Sequence, residues 1–323
     1  MAACVVVGAG QLISEADVSS IDVNGARLYY ELRGEGPTVL FISGATGDAG
    51  HWTEVGDALA DEYSVLSYDR RANSRSPRPP NWVTAPVEEQ ADDAAGLLTA
   101  LDLAPVVAYG NSGGAIILTS LALRHPSLLR GAIFHEPAYL GVTSAAEEVG
   151  AELQRLIGEG MATGGPPVAT ELFQRWVAGD EAFESLDPEL RDRMLGNGEV
   201  LFGLELDSVL TYLPTPEQLA EVGLPCVVAA GADNRDPAAT HHWLYEASKW
   251  LADRLHAPLV ETPGAHVPQF THPRELAETL RPILGKLAAS SAVRQPHRPR
   301  AATGQSDNLQ DRRPRGAKFS RQF

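Results

Sequence analysis

The sequence predicts an α/β protein, with a mostly parallel sheet flanked by helices and a helical insertion that caps it. Three observations predict this. Short apolar runs suited to strands alternate with amphipathic helical stretches and show no internal repeat. One strand-to-helix junction, residues 106–118, passes through the tight turn Gly110-Asn111-Ser112-Gly113-Gly114. Between residues 138 and 221 the strand pattern vanishes, and a stretch rich in Ala, Leu and Glu replaces it.

Residues 1–18 read as an N-terminal extension. They are apolar at first but lack the basic start of a signal peptide. Gly8-x-Gly10 lacks the third glycine and the following helix of a dinucleotide fingerprint. The first part of the core, 19–137, opens with a hairpin whose Asn24-Gly25 turn is of the I′ type. Residues 38–43 form a strand apolar enough for burial on both faces, followed by a glycine-rich loop, 44–52. Residues 63–69 form the next strand, leading into Arg70, Arg71 and Arg75, which are expected to pair with Asp69 at the strand end. An amphipathic helix over 88–103, the Ser112 junction and a strand ending at His135-Glu136-Pro137 complete this half. The cap, 138–221, is broken at Thr163-Gly164-Gly165-Pro166-Pro167. The second part of the core, 222–288, supplies a strand over 226–231, a helix over 241–255 and a last strand over 259–262. A terminal helix begins at Arg274 and is expected to break near Pro282.

The 323 residues are 44% hydrophobic and 21% charged, enough for a large core. Two cysteines, Cys4 and Cys226, exclude a disulfide scaffold and point to a reducing, cytoplasmic setting. The formal charge of −16 is uneven. Residues 289–323 hold eight basic side chains against Asp307 and Asp311, a net of +6, which leaves −22 for the rest. That tail reads as a basic, disordered extension. So acidic a body repels nucleic acid and anionic membranes and favours neutral or cationic ligands. No apolar run is long enough for a transmembrane helix.

The chemistry centres on Ser112. A G-x-S-x-G turn between strand and helix strains the serine backbone and lifts its hydroxyl above the sheet, at the positive end of the helix. His266, just after the last strand, stands where a general base belongs. His272 reads as the start of the final helix, and His241 and His242 as exposed helix-start residues. No histidine pair stands in a metal-ligand pattern, so neither a metal nor another cofactor is expected. An acid must orient the imidazole, and the spacing leaves three open: Glu136, Asp233 and Asp236, all after strand ends.

Gly110-Asn111-Ser112-Gly113-Gly114, Phe134-His135-Glu136-Pro137 and Pro263-Gly264-Ala265-His266 together resemble the α/β-hydrolase superfamily, and most of all its zearalenone lactonase branch. The resemblance covers about residues 21–287, with the cap matching poorly. It implies Ser112, Glu136 and His266 as the triad. It also implies an oxyanion hole made by the backbone N–H groups of Gly113 and Ala45, with Gly44 one register away. Ser43-Gly44 stands where many relatives carry His-Gly. The expected function is a cofactor-free serine hydrolase acting on a small neutral or hydrophobic ester or lactone through an acyl-enzyme. A perhydrolase or haloperoxidase-like enzyme and a non-catalytic binding protein on the same scaffold are the alternatives. Trp176, Phe202, Leu210 and Tyr212 are candidates either for an apolar pocket or for packing the cap on the sheet. Substrate identity and a homo-oligomeric state stay open.

Overall fold

The computed structural model describes Val6–Val7, Gln11–Leu12 and residues 20–290. The basic side chains of the tail and Cys4 lie outside the described residues. Val6–Val7 and Gln11–Leu12 pair antiparallel. The main sheet has eight strands: β1 (Ser20–Val23), β2 (Ala26–Arg33), β3 (Thr38–Ile42), β4 (Ser64–Tyr68), β5 (Val106–Asn111), β6 (Leu129–His135), β7 (Cys226–Gly231) and β8 (Leu259–Thr262). Their order across the sheet is β8-β7-β6-β5-β3-β4-β2-β1. The six strands from β3 to β8 run parallel, and the β1–β2 hairpin joins antiparallel through β2 and β4. Asn24 (φ 49) and Gly25 (φ 76) both take the left-handed conformation that a I′ turn demands.

Strand residues alternate between two apolar layers. Leu40, Ile42, Val106 and Ala108 pack against α2 (Val87–Ala100) and α3 (Gly113–Arg124) on one face. Val39, Phe41, Val107 and Tyr109 pack on the other against Trp52, Leu59 of α1 (Thr53–Leu59) and the terminal helix Pro273–Ala289. That helix runs unbroken through Pro282, contrary to expectation. Pro282 is exposed, while Leu280, Leu284 and Leu287 hold the helix to the sheet across the missing hydrogen bond.

Between β6 and β7 the chain is helical. Helices α4 (Ala146–Gly164) and α5 (Pro166–Ala178) turn at Gly165, and shorter helices continue to Ala220. One of them changes pitch to a π-helix over Leu201–Glu205 before Leu206–Thr211. No helix among the described residues is long and apolar enough to cross a membrane.

Candidate active site

Ser112 sits between β5 and α3 with φ 57 and ψ −123, a backbone state that costs a non-glycine residue roughly 1–3 kcal/mol. The neighbours make the turn feasible. A Cβ on Gly114 would lie 2.1 Å from the Ile42 carbonyl oxygen, so β3 and α3 can approach only over a bare α-carbon. The Ser112 N–H is held by the His135 carbonyl at 2.9 Å. Its Oγ has no hydrogen-bond partner among the described residues, and Ser112 lines a cavity shared with His266.

His266 Nδ1 and Glu136 Oε2 are 2.7 Å apart, and both side chains are buried. An ionised carboxylate only accepts, so Nδ1 carries the proton and Nε2 keeps its lone pair. Glu136 is fixed from the other side as well. Its Oε1 accepts the Gly231 N–H at 2.9 Å and the Asn234 amide at 2.9 Å. Burial pushes the Glu136 carboxyl up, but the hydrogen bonds from His266 and the Asn234 amide outweigh it and hold it below the ordinary carboxylate range. Asp233 and Asp236 do not join this group. Both are exposed, and Asp236 accepts from the Ala238 N–H of its own loop at 2.9 Å. The loop that could have offered an aspartate offers Asn234 instead, as a clamp on Glu136.

Behind this pair, the Asn111 amide donates to His135 Nδ1 at 2.8 Å and to the His266 carbonyl at 3.1 Å. His135 Nε2–H then donates to Thr262 Oγ1 at 2.9 Å. Burial lowers the His135 ring to about 4, so it is neutral and serves as a fixed brace. The sequence singled out neither Asn111 nor His135 for this role, although both lie inside quoted motifs.

Ala45 and Gly113 line the cavity beside Ser112, and neither N–H donates to another group of the described residues. The cavity holds about 60 Å³ of space and opens outward through a wide mouth. Its wall is apolar, with Ile117, Leu153, Phe173, Trp176, Leu201 and Leu210 prominent. A smaller, more polar pocket lined by His51, Gln174 and Gln269 adjoins it at Ser112 and His266. Among the described residues, no group of three or more His, Cys, Asp or Glu is placed to hold a metal ion.

Several expectations need correction. Trp176 and Leu210 line the cavity, but Phe202 and Tyr212 do not. The lining positions run Leu201, Glu205, Leu206, Val209, Leu210, one face of the helical stretch, and Phe202 instead packs edge-on against Phe173 at 6.2 Å. Tyr212 follows the end of its helix and packs on the apolar layer beneath. His241 is buried and lines the cavity, and it bonds to the Trp176 carbonyl at 2.8 Å. His242 is half-buried and bonds to the Asn234 carbonyl at 2.9 Å. Of the three arginines after β4, only Arg75 pairs with Asp69. Arg71 reaches Asp93, and Arg70 reaches Glu205 in the π-helix.

The family model for the alpha/beta hydrolase fold matches residues 37–273, a stretch running from β3 to the start of the terminal helix. The chain belongs to the α/β-hydrolase family. It is 31% identical over 271 residues to the uncharacterized hydrolase YraK of Bacillus subtilis (strain 168), covering 83% of this chain and 96% of that protein. It is 24% identical over 263 residues to a zearalenone hydrolase of Bionectria ochroleuca, covering 79% and 92%. A thermophilic esterase from Thermogutta terrifontis shares the fold at a TM-score of 0.66 and 21% identity, over 83% of this chain and 99% of its own. The match of this α/β hydrolase thus covers nearly all of the length of each of these proteins.

Proposed function

We propose that the protein is a serine hydrolase that cleaves a small neutral or hydrophobic carboxylic ester or lactone. The observation that carries this reading is the buried His266–Glu136 bond, 2.7 Å long, beside a strained Ser112 at the head of an apolar cavity. Ser112 Oγ attacks the carbonyl carbon while His266 Nε2 takes its proton, and Glu136 stabilises the imidazolium. The carbonyl oxygen becomes an oxyanion facing the N–H groups of Ala45 and Gly113. Collapse breaks the bond to the leaving oxygen, which receives the proton from His266. A lactone keeps that alcohol tethered to the acyl group. Water activated by His266 then attacks the acyl-enzyme and releases the acid. The apolar wall suits an aliphatic or aromatic acyl part, and the polar pocket at His266 leaves room for the alcohol.

Intact-mass labelling with a fluorophosphonate tests this reading on the wild type and on Ser112→Ala. One adduct on the wild type and none on the variant is the expected result, followed by turnover in a screen of esters and lactones. Folded wild-type protein that takes no adduct and cleaves no ester overturns it.

A further inference from the structure

We infer that Arg70, held in place by Glu205 of the cap, is a positioning residue that aims the Ala45 N–H at the developing oxyanion. The inference rests on the hydrolase reading above, in which Ala45 supplies one of the two donors. Its basis is peptide geometry. The Gly44 carbonyl and the Ala45 N–H belong to one planar trans unit, so they point in opposite directions and turn together. Arg70 Nη2 donates to that carbonyl at 2.9 Å, alongside the Gly47 N–H of the same turn at 3.2 Å, and is its one charged donor among the described residues. Fixing the oxygen fixes the N–H, and flipping the peptide would strip a buried carbonyl of a charge-assisted bond. The same bond polarises the peptide and makes its N–H a better donor.

Arg70 is itself over-determined. Its backbone N–H donates to the Gly47 carbonyl at 2.8 Å. Gly47 takes φ +40, and a Cβ there would sit 2.9 Å from Arg70 Nε, so loop and guanidinium interlock. Nη1 reaches Gln90 and Glu205, Nη2 also meets Glu205 Oε2 at 2.8 Å, and Asn73 adds a 3.1 Å bond to Glu205 Oε1. Arg70 is 3% exposed and Glu205 2%, and both border the cavity that Ser112 lines. So buried a pair contributes little net stability compared with apolar packing, but removing one partner strands the other. Glu205 ends the π-helix, and such turns recur at functional sites.

Two further cap side chains converge on the same loop. Asn197 donates to the Thr46 carbonyl at 2.7 Å, and Arg193 Nε meets Asp48 Oδ2 at 2.6 Å. Through these ties the cap, besides walling the cavity, sets the orientation of one oxyanion donor.

The test compares Arg70→Met and Glu205→Gln with wild type in ester kinetics and in binding two ligands. One is a trifluoromethyl ketone, whose carbonyl becomes an oxyanion when Ser112 Oγ adds to it. The other is the matching secondary alcohol, which has no carbonyl. Arg70→Met should lower kcat by about 10²–10³ and Glu205→Gln by about tenfold, with KM within about threefold. The ketone should lose affinity by the same factors, and the alcohol should bind unchanged. Equal loss of ketone and alcohol binding would mean a general brace and overturns the inference. So does a kcat within about threefold of wild type in both folded variants, or in Glu205→Gln alone if Arg70→Met does not fold. Those failures leave wild-type labelling and turnover intact. Failure of the hydrolase reading instead shows in the wild type, which would neither label nor turn over, and it takes this inference with it.

Discussion

The two N–H groups beside Ser112 are held by different means. Gly113 opens a helix whose approach is set by backbone and small residues: the φ 57 turn at Ser112, the bare α-carbon of Gly114 and the Ser112–His135 backbone bond. The loop carrying Ala45 has backbone bonds of its own, Gly47 N–H to the Gly44 carbonyl and Arg70 N–H to the Gly47 carbonyl, but is held in addition by side chains from remote segments. Arg193 and Asn197 reach it across 145 and 151 residues, and Glu205 acts on it through Arg70, 135 residues away. A geometry enforced by sterics is written in adjacent residues. One enforced by ion pairs and amide bonds is written in fragments that only the folded chain assembles.

The largest effects should fall on the elbow side. Glu136→Gln keeps the shape but loses the charge that fixes the His266 tautomer, so kcat should drop by about 10³–10⁴ with the fold intact. Asp233→Asn and Asp236→Asn, both in an exposed loop, should stay within about twofold. Steady-state kinetics on one ester decides, and a loss confined to an aspartate variant would move the acid out of the elbow. Gly114→Ala comes next. Its Cβ would meet backbone rather than a yielding side chain, so urea unfolding should show a loss of about 3 kcal/mol or more, with activity lost in parallel. A stable, active Gly114→Ala would mean that the elbow is not held by close approach.

The same contrast explains what could be read from the sequence. The Asn24-Gly25 hairpin, the alternating strands and the Ser112 turn depend on nearby residues, and each appears where the pattern placed it. Glu136 stood out only by resemblance, because spacing alone could not separate it from Asp233 and Asp236. What separates them is the Gly231 and Asn234 donors, 95 and 98 residues away. Arg70 and Asp69 adjoin in sequence, which suggests a pair, whereas a π turn in the cap delivers the partner Arg70 takes, Glu205. Leu210 faces the cavity while Phe202 packs on Phe173, a choice set by tertiary contacts rather than by residue type. Pro282 misled for a related reason. Local propensity predicted a break, and the tertiary packing of Leu280, Leu284 and Leu287 overrode it.

A milder change probes the loop side. Asn197→Ala removes the amide that binds the Thr46 carbonyl and both the donor and acceptor contacts with Ser74, leaving buried groups unpaired. It should cost about 1–3 kcal/mol in urea unfolding and lower kcat several-fold with little change in KM. A rise in KM alone would make the cap's hold on this loop a matter of substrate fit rather than of donor orientation.

A last effect is one the two regions share. Each contains a buried neutral histidine, His135 behind the elbow and His51 after the Ala45 loop, and burial lowers both rings from 6.5 to about 4. Between those values the unfolded chain binds protons that the folded protein does not, so stability rises with pH across that window. It is complete above pH 6.5 and falls as the pH drops towards 4, by up to about 1.4 kcal/mol per pH unit for each ring. Urea midpoints taken from pH 7 down to 4.5 should show this acid limb, and His51→Gln should remove about half its slope. A limb unchanged in His51→Gln would place the acid sensitivity on the elbow side alone, where His135 is clamped between Asn111 and Thr262 and cannot accept a proton without losing the Asn111 bond.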